Sequence, residues 1–285
     1  VTAAVLPLPA VDDAPRAVPL YRLLGAELRW VLRRPRTLVM LGLFALVPVL
    51  ISVGVALAEA GPGEGLIGAV AGNGLMLPVV AITLSLALLL PLAVAMAAAD
   101  AIAGEAAHGT LRGLLLAPVG RLRLVGMKAF GVLVVATLAV LALAVMGVLS
   151  GLIVVGRAEG QLVTLSGTAV GPGDALGRIS LVVLWTIGQL AAVGAVALAV
   201  SALTEHPSVV IASVLGGLIV FGVLSAIPAL GWLEPYLLTT GWTAGVDVVR
   251  DPMPAAGLVE SSLRALCYVT VGTGLTVYRM LRRDA

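Results

Sequence analysis

Long stretches of this chain carry no charged side chain, and that restricts what it can fold into. A soluble domain needs polar residues to cover its outer face, and about a quarter of its residues are charged. Here 285 residues are 60% hydrophobic and 11% charged, with a mean hydropathy of +1.14. Lipid is the solvent that suits such a composition. A membrane-crossing helix needs about 20 mostly apolar residues. Six runs qualify: 38–58, 77–99, 128–155, 179–202, 208–230 and 258–278, the last weakened by Glu260 and Arg264. The expected fold is an all-α integral membrane protein with six transmembrane helices.

Cytoplasmic loops collect Lys and Arg, so charge bias sets orientation. Arg16, Arg22, Arg29, Arg33, Arg34 and Arg36 precede the first span. Arg112, Arg121, Arg123 and Lys128 fall between the second and third, and Arg279, Arg282 and Arg283 after the sixth. These thirteen oppose four on the other side: Arg157, Arg178, Arg250 and Arg264. Both termini are expected in the cytoplasm. The net charge of +2 is read as loop anchoring. There is no basic run with interleaved aromatics, so a nucleic-acid partner is not expected.

Residues 1–18 hold Asp12, Asp13 and three prolines, with no apolar core, and read as a disordered cytoplasmic tail rather than a secretory signal. Over 19–36, Leu20, Leu23, Leu24, Leu28, Val31 and Leu32 recur at roughly helical spacing among arginines. This predicts an amphipathic interfacial helix anchored by Trp30, Arg33 and Arg34, or alternatively the start of the first span itself. Pro35 permits a turn into the membrane. A permease-like domain then fills 37–282. Residues 231–257 hold Trp232, Tyr236 and Trp242 and fit either an interfacial aromatic belt or a short re-entrant helix.

Several chemistries find no support. A phosphate-binding loop needs Gly-Lys-Ser/Thr, and the one lysine, Lys128, lies in "GMKAF". His108 and His206 are the two histidines, so no metal site and no catalytic residues are expected. Cys267 reads as a small buried hydrophobe. "GPGD" at 171–174 resembles an intramembrane aspartyl peptidase motif but lacks a second in-span Asp, and reads as a turn with Asp174 near a helix start. Gly147-x-x-x-Gly151 matches a helix-packing pattern. The polar residues inside spans are few and uncharged; Thr83 and Ser85 are those that could line a path, beside Thr186 and Gln189. An ion-coupled carrier usually has a charge there, so energy is expected from elsewhere.

The charged segment "DAIAGEAAHGTLRGLLLAPVGRLRLVGMK" (100–128) sits between two apolar spans. Gly109 and Thr110 can end one helix and cap the next. Leu111, Leu114 and Leu115 share a face, Arg112 points elsewhere, and Pro118 stops the segment. This predicts a two-turn amphipathic helix, offered to a soluble partner or resting on lipid.

The same segment resembles the permease subunits of type-2 ABC transporters, including bacterial multidrug and antibiotic exporters. The matching residues are Glu105, Gly109, Thr110, Leu111, Pro118, Arg121, Arg123 and Lys128. Ala106, Ala107 and His108 depart from the charged residues that many relatives carry there. The weaker pattern covers about 19–282. The resemblance implies a permease that pairs with a second copy or a paralogue in the bacterial inner membrane. It implies two cytosolic ATPase subunits that carry ATP and Mg, so that no cofactor sits on this chain. It also implies that the 104–120 loop couples the two. Glu105 either orients the junction through a nearby Arg or is a solvated loop acid. Spans two and five commonly line the path in such proteins. The expected cargo is a hydrophobic or amphipathic small molecule. An ATP-independent carrier or channel is the alternative.

Overall fold

In hydrocarbon each backbone N–H and C=O must be satisfied within its own segment, so apolar runs become helices. The computed structural model describes residues 20–57, 68–71, 73–109, 120–156 and 161–282. Helix α1 is Leu20–Arg33 and α2 is Pro35–Leu57. Arg34 separates them, and Pro35 takes the first helical position, where its missing N–H costs nothing. Next come α3, Leu77–Leu86, and α4, Leu89–Ala99. Then follow α5, Arg121–Ser150; α6, Pro172–Leu203; α7, Pro207–Ser225; and α8, Ala255–Arg282. A small antiparallel hairpin between α5 and α6 pairs β1, Leu162–Val163, with β2, Ala169–Val170.

The second predicted span is not one rod. It breaks at Ala87 and Leu88, where Leu88 has φ −150° and ψ −47°. The cause is Pro91, which has no N–H for the Ala87 carbonyl and whose ring crowds it. Beyond α4 the chain continues through a π-helical turn, Asp100–Gly104, and one α-turn, Glu105–Ala107. The third span likewise starts earlier than expected and ends in a π-helical turn, Gly151–Val155.

Five helical stretches are long and apolar enough to cross a membrane: 35–57, 89–107, 121–155, 172–203 and 207–225. The stretch 74–86 adds a shorter apolar helix before the break. Helix α8, with 28 residues, reaches about 42 Å at 1.5 Å per residue, but it carries Glu260, Arg264, Arg279 and Arg282. The chain is thus an all-α membrane protein, with the hairpin as a minor addition. Helix α6 is the central rod, packed on α4, α5 and α8, while α2 lies along α5. Helices α2 and α7 keep most of their apolar surface outward.

Glycine sets the closest approach. A Cβ on Gly147 would lie 2.6 Å from the Cα of Pro78, and one on Gly151 would collide with the Gly74 carbonyl. The Gly147-x-x-x-Gly151 pattern is therefore the seam between α5 and the start of α3. Loops tie the same end of the bundle together. Arg178 donates to the carbonyls of Val248 (2.9 Å) and Arg250 (2.6 Å), and Asn73 donates to Val163 O at 2.6 Å. Asp174 is an exposed residue in the first turn of α6, with Pro172 starting the helix.

Two expectations need correction. Cys267 is exposed on α8, not buried, because no described residue covers it. The aromatics of 231–257 do not form one belt. Trp232 and Tyr236 are exposed on a 3-10 segment, Pro228–Tyr236, while Trp242 is buried on the next one, Leu238–Thr243.

Gly151→Val is expected to lower unfolding stability by about 1–3 kcal/mol through overpacking, read as a lower denaturant midpoint in detergent. Gly126→Ala, where an added Cβ meets nothing within 4 Å, serves as the neutral comparison. Equal midpoints would remove the packing role of the seam.

Candidate functional site

At the opposite end of the bundle, charged side chains converge on the neck of the 110–119 loop. The assembly starts on α1. Leu20, Leu24, Glu27 and Val31 follow one another at helical spacing, so Glu27 sits on the stripe that should be apolar. Both Glu27 and Val31 are buried against α5. Gly131 makes room: a Cβ there would be 2.9 Å from Glu27 Oε1.

Lys128 lies one turn before Gly131 and is 4% exposed. Its Nζ donates to Glu105 Oε1 at 2.5 Å and stands 3.7 Å from Glu27 Oε1. One ammonium thus joins three segments: α1, the turn that follows α4, and α5. Burial pushes the Glu27 carboxyl above its usual range. Lys128 opposes that shift, Glu105 adds to it and Arg34 opposes it weakly.

A second cluster sits beside the first. Arg34 and Arg36 donate to Asp100 Oδ2 at 3.1 and 3.2 Å. Those arginines flank the α1–α2 junction, and Asp100 opens the π-helical turn after α4. The same turn is held to α6 by Ala103 N–H, which donates to Ser201 Oγ at 2.9 Å. Gly109 ends the segment with φ +71°, a left-handed conformation that glycine adopts without strain. On the far side of the loop, Arg121 caps α8 by donating to the carbonyls of Met280 (3.2 Å) and Leu281 (2.6 Å). Both flanks of the loop are therefore fixed to the spans.

Of the expected coupling residues, Glu105 and Gly109 fall in this neck. Thr110, Leu111, Arg112, Leu114, Leu115 and Pro118 lie outside the described residues. Among the described residues Glu105 pairs with Lys128, which α5 brings under the turn. Of the expected anchors, Arg34 is engaged with Asp100 and Arg33 is exposed. Trp30 belongs to α1, and its side chain lies outside what is described. Thr83 is half-buried, bonds back to Val79 O at 2.8 Å and borders a cavity beside α7. Ser85 is buried away from that cavity. Sequence reasoning missed Glu27 and Asp100. The visible signal was an acid on the apolar stripe of an otherwise basic helix.

Among protein families, the model described as "ABC-2 family transporter protein" matches residues 21–243. The match runs from α1 through the loop neck to the 238–243 turn. No curated protein matches the chain.

Lys128→Met leaves two buried carboxylates facing each other and is expected to cost about 3–5 kcal/mol of stability. Adding Glu27→Gln and Glu105→Gln to it should recover most of that loss; no recovery would argue against a charge origin. A second expectation concerns pH. A carboxyl whose pKa is raised in the fold stabilises it most below 4.5, and that stability is lost as pH rises through the raised value. Glu27→Gln should flatten this fall and unfold at neutral pH at a midpoint no lower than wild type. Midpoints measured across pH would show it, and a steeper fall in the variant would refute it.

Proposed function

The chain belongs to the ABC-2 transporter family, and on that premise we propose that it is the permease of an ATP-driven exporter. Family membership makes it a transport subunit of an ABC transporter, working in a membrane with an ATPase partner. The finer reading is that it spans a bacterial cytoplasmic membrane six times, with α8 as the sixth span and both termini inside. Thirteen basic residues against four support that orientation. It pairs with a second copy or a paralogue. Two cytosolic ATPase subunits, which carry ATP and Mg, grip the 104–120 loop.

The observation that carries this reading is the pinned neck. Lys128 links Glu105 and Glu27, while Arg121 holds the end of α8. A force on residues 110–119 would then reach α4, which runs directly into the neck, and α1, α5 and α8, which are joined to it by charge-assisted hydrogen bonds or ion pairs. A slack loop would dissipate it. The cargo is a hydrophobic or amphipathic small molecule, since 65–99 and 207–225 contain no charge that would favour an ionic one.

Co-expression with a cognate ATPase should give a complex that survives detergent purification. Leu114→Asp or Leu115→Asp should lower ATP-dependent transport by about tenfold or more, within the usual range of coupling free energies, while hydrolysis continues. Transport at the wild-type rate by these variants would sink the coupling role of the loop.

A further inference from the structure

We propose that the open groove at the α1–α2 junction, lined by Arg29, Arg33 and Arg34, holds the phosphate headgroup of an anionic membrane lipid. The proposal needs α2 to enter a membrane and takes nothing from the exporter reading.

The groove measures about 470 Å³ and is bordered by Ala26, Arg29, Arg33, Arg34 and Pro35. Three of these five carry a guanidinium, and none is acidic. Arg29 and Arg33 are four residues apart on α1, so they share a face and repel each other. Arg29 Nε donates to the Gly25 carbonyl at 3.2 Å, which ties it to its own helix and leaves its charge unmatched. The charges nearby are already committed. Glu27, the one acid of α1, faces Lys128, and Asp100 serves both Arg34 and Arg36. Neither Arg29 nor Arg33 meets an acid among the described residues, and both are exposed. A phosphate in the groove would offset this surplus and accept from the flat guanidinium forks in pairs.

The position of the groove selects a lipid over a free anion. It lies where α1 turns into the first span, and α2 carries no charge after Arg36. Leu38 and Val39, one turn beyond the groove, are exposed. A lipid whose phosphate meets the arginines would have this bare apolar surface within reach of its chains. An inorganic anion would gain only the charge contact, which salt screens.

The adjoining cavity on the inner side of Arg34 is no rival. It measures about 40 Å³, room for little beyond water, and Glu27 and Asp100 in its wall would repel an anion. Arg34 borders both spaces and donates to Asp100 Oδ2 at 3.1 Å. A lipid phosphate on Arg34 is therefore one residue away from the ion pairs that fix the α1–α2 junction.

The test is native mass spectrometry of the detergent-purified full chain, titrated with dioleoyl phosphatidylglycerol or dioleoyl phosphatidylcholine. Phosphatidylglycerol should bind more tightly and saturate at one molecule per chain. The double variant Arg29→Gln, Arg33→Gln should weaken it about ten- to thirtyfold, since each arginine near a lipid surface contributes about a tenfold share or slightly less. Ala26→Glu, which places a carboxylate in the groove and leaves every arginine in place, should weaken it as well. The double variant Arg22→Gln, Arg282→Gln removes the same charge away from the groove and should bind like wild type. Inorganic phosphate should displace the lipid no better than chloride at equal ionic strength. Equal binding of the two lipids overturns the proposal and leaves the groove to an acidic protein segment. Equal weakening in both double variants, wild-type affinity in the groove variants, or displacement by inorganic phosphate overturns it too. No ATPase enters the assay, so its outcome is independent of whether the 104–120 loop couples to one.

Discussion

Lys128 sits among apolar side chains at the start of α5 and draws Glu27 from α1 and Glu105 from the turn after α4 towards one ammonium. Three elements distant in sequence are registered by that one charge. Such a network is costly to assemble, because each group loses hydration. Once assembled it resists partial disruption, since removing the ammonium leaves like charges buried together. The raised carboxyl of Glu27 marks the loss of hydration on burial, to which the nearby Glu105 adds. The neighbouring Asp100–Arg34–Arg36 cluster extends the same logic to the α1–α2 junction. Together they make a stiff collar around the loop that the family match places in a transporter.

Away from the collar close contact joins ion pairs such as Arg178–Asp251 in holding the chain. Lipid offers no hydrophobic drive between helices, so close packing must supply the adhesion. The Gly147–Gly151 seam brings backbone against backbone at the end remote from the collar. Arg178 and Asn73 then lace the hairpin and the 248–251 segment over that end. One end is thus stiffened by buried ion pairs and the other by glycine contact, loop hydrogen bonds and the more exposed Arg178–Asp251 ion pair. Between them lies the break at Ala87–Leu88, the irregular part of an otherwise continuous rod. A rod with fixed ends and a broken middle can bend there, beside the cavity that Trp242 borders.

The apolar runs were legible because roughly 20 residues without charge have few ways to fold other than as a membrane helix. The entry helix was legible from its leucine spacing, and Gly109 as a helix end from its residue type. The inward and outward faces of the spans were not. Composition does not say which face of a span meets a neighbour, and Cys267, expected inside, is exposed. The break in span two had its cause in plain view at Pro91, but a run of leucines and alanines on both sides concealed it. The pairing of Glu105 with Lys128 was not legible, since the two are 23 residues apart and arginines are the more abundant neighbours.

By itself the sequence determined that this is a helical membrane protein, because hydrocarbon accepts few other uses of such runs. It also placed one charged loop between two spans and matched it to a transporter family. Only the tertiary structure decided which charges meet. Glu27, Glu105 and Lys128 become partners through the packing of α1 on α5, and the cavity exists only where α7 and the 238–243 turn close on the broken span. Pairing and enclosure depend on distances between segments far apart along the chain, and local composition does not encode those distances.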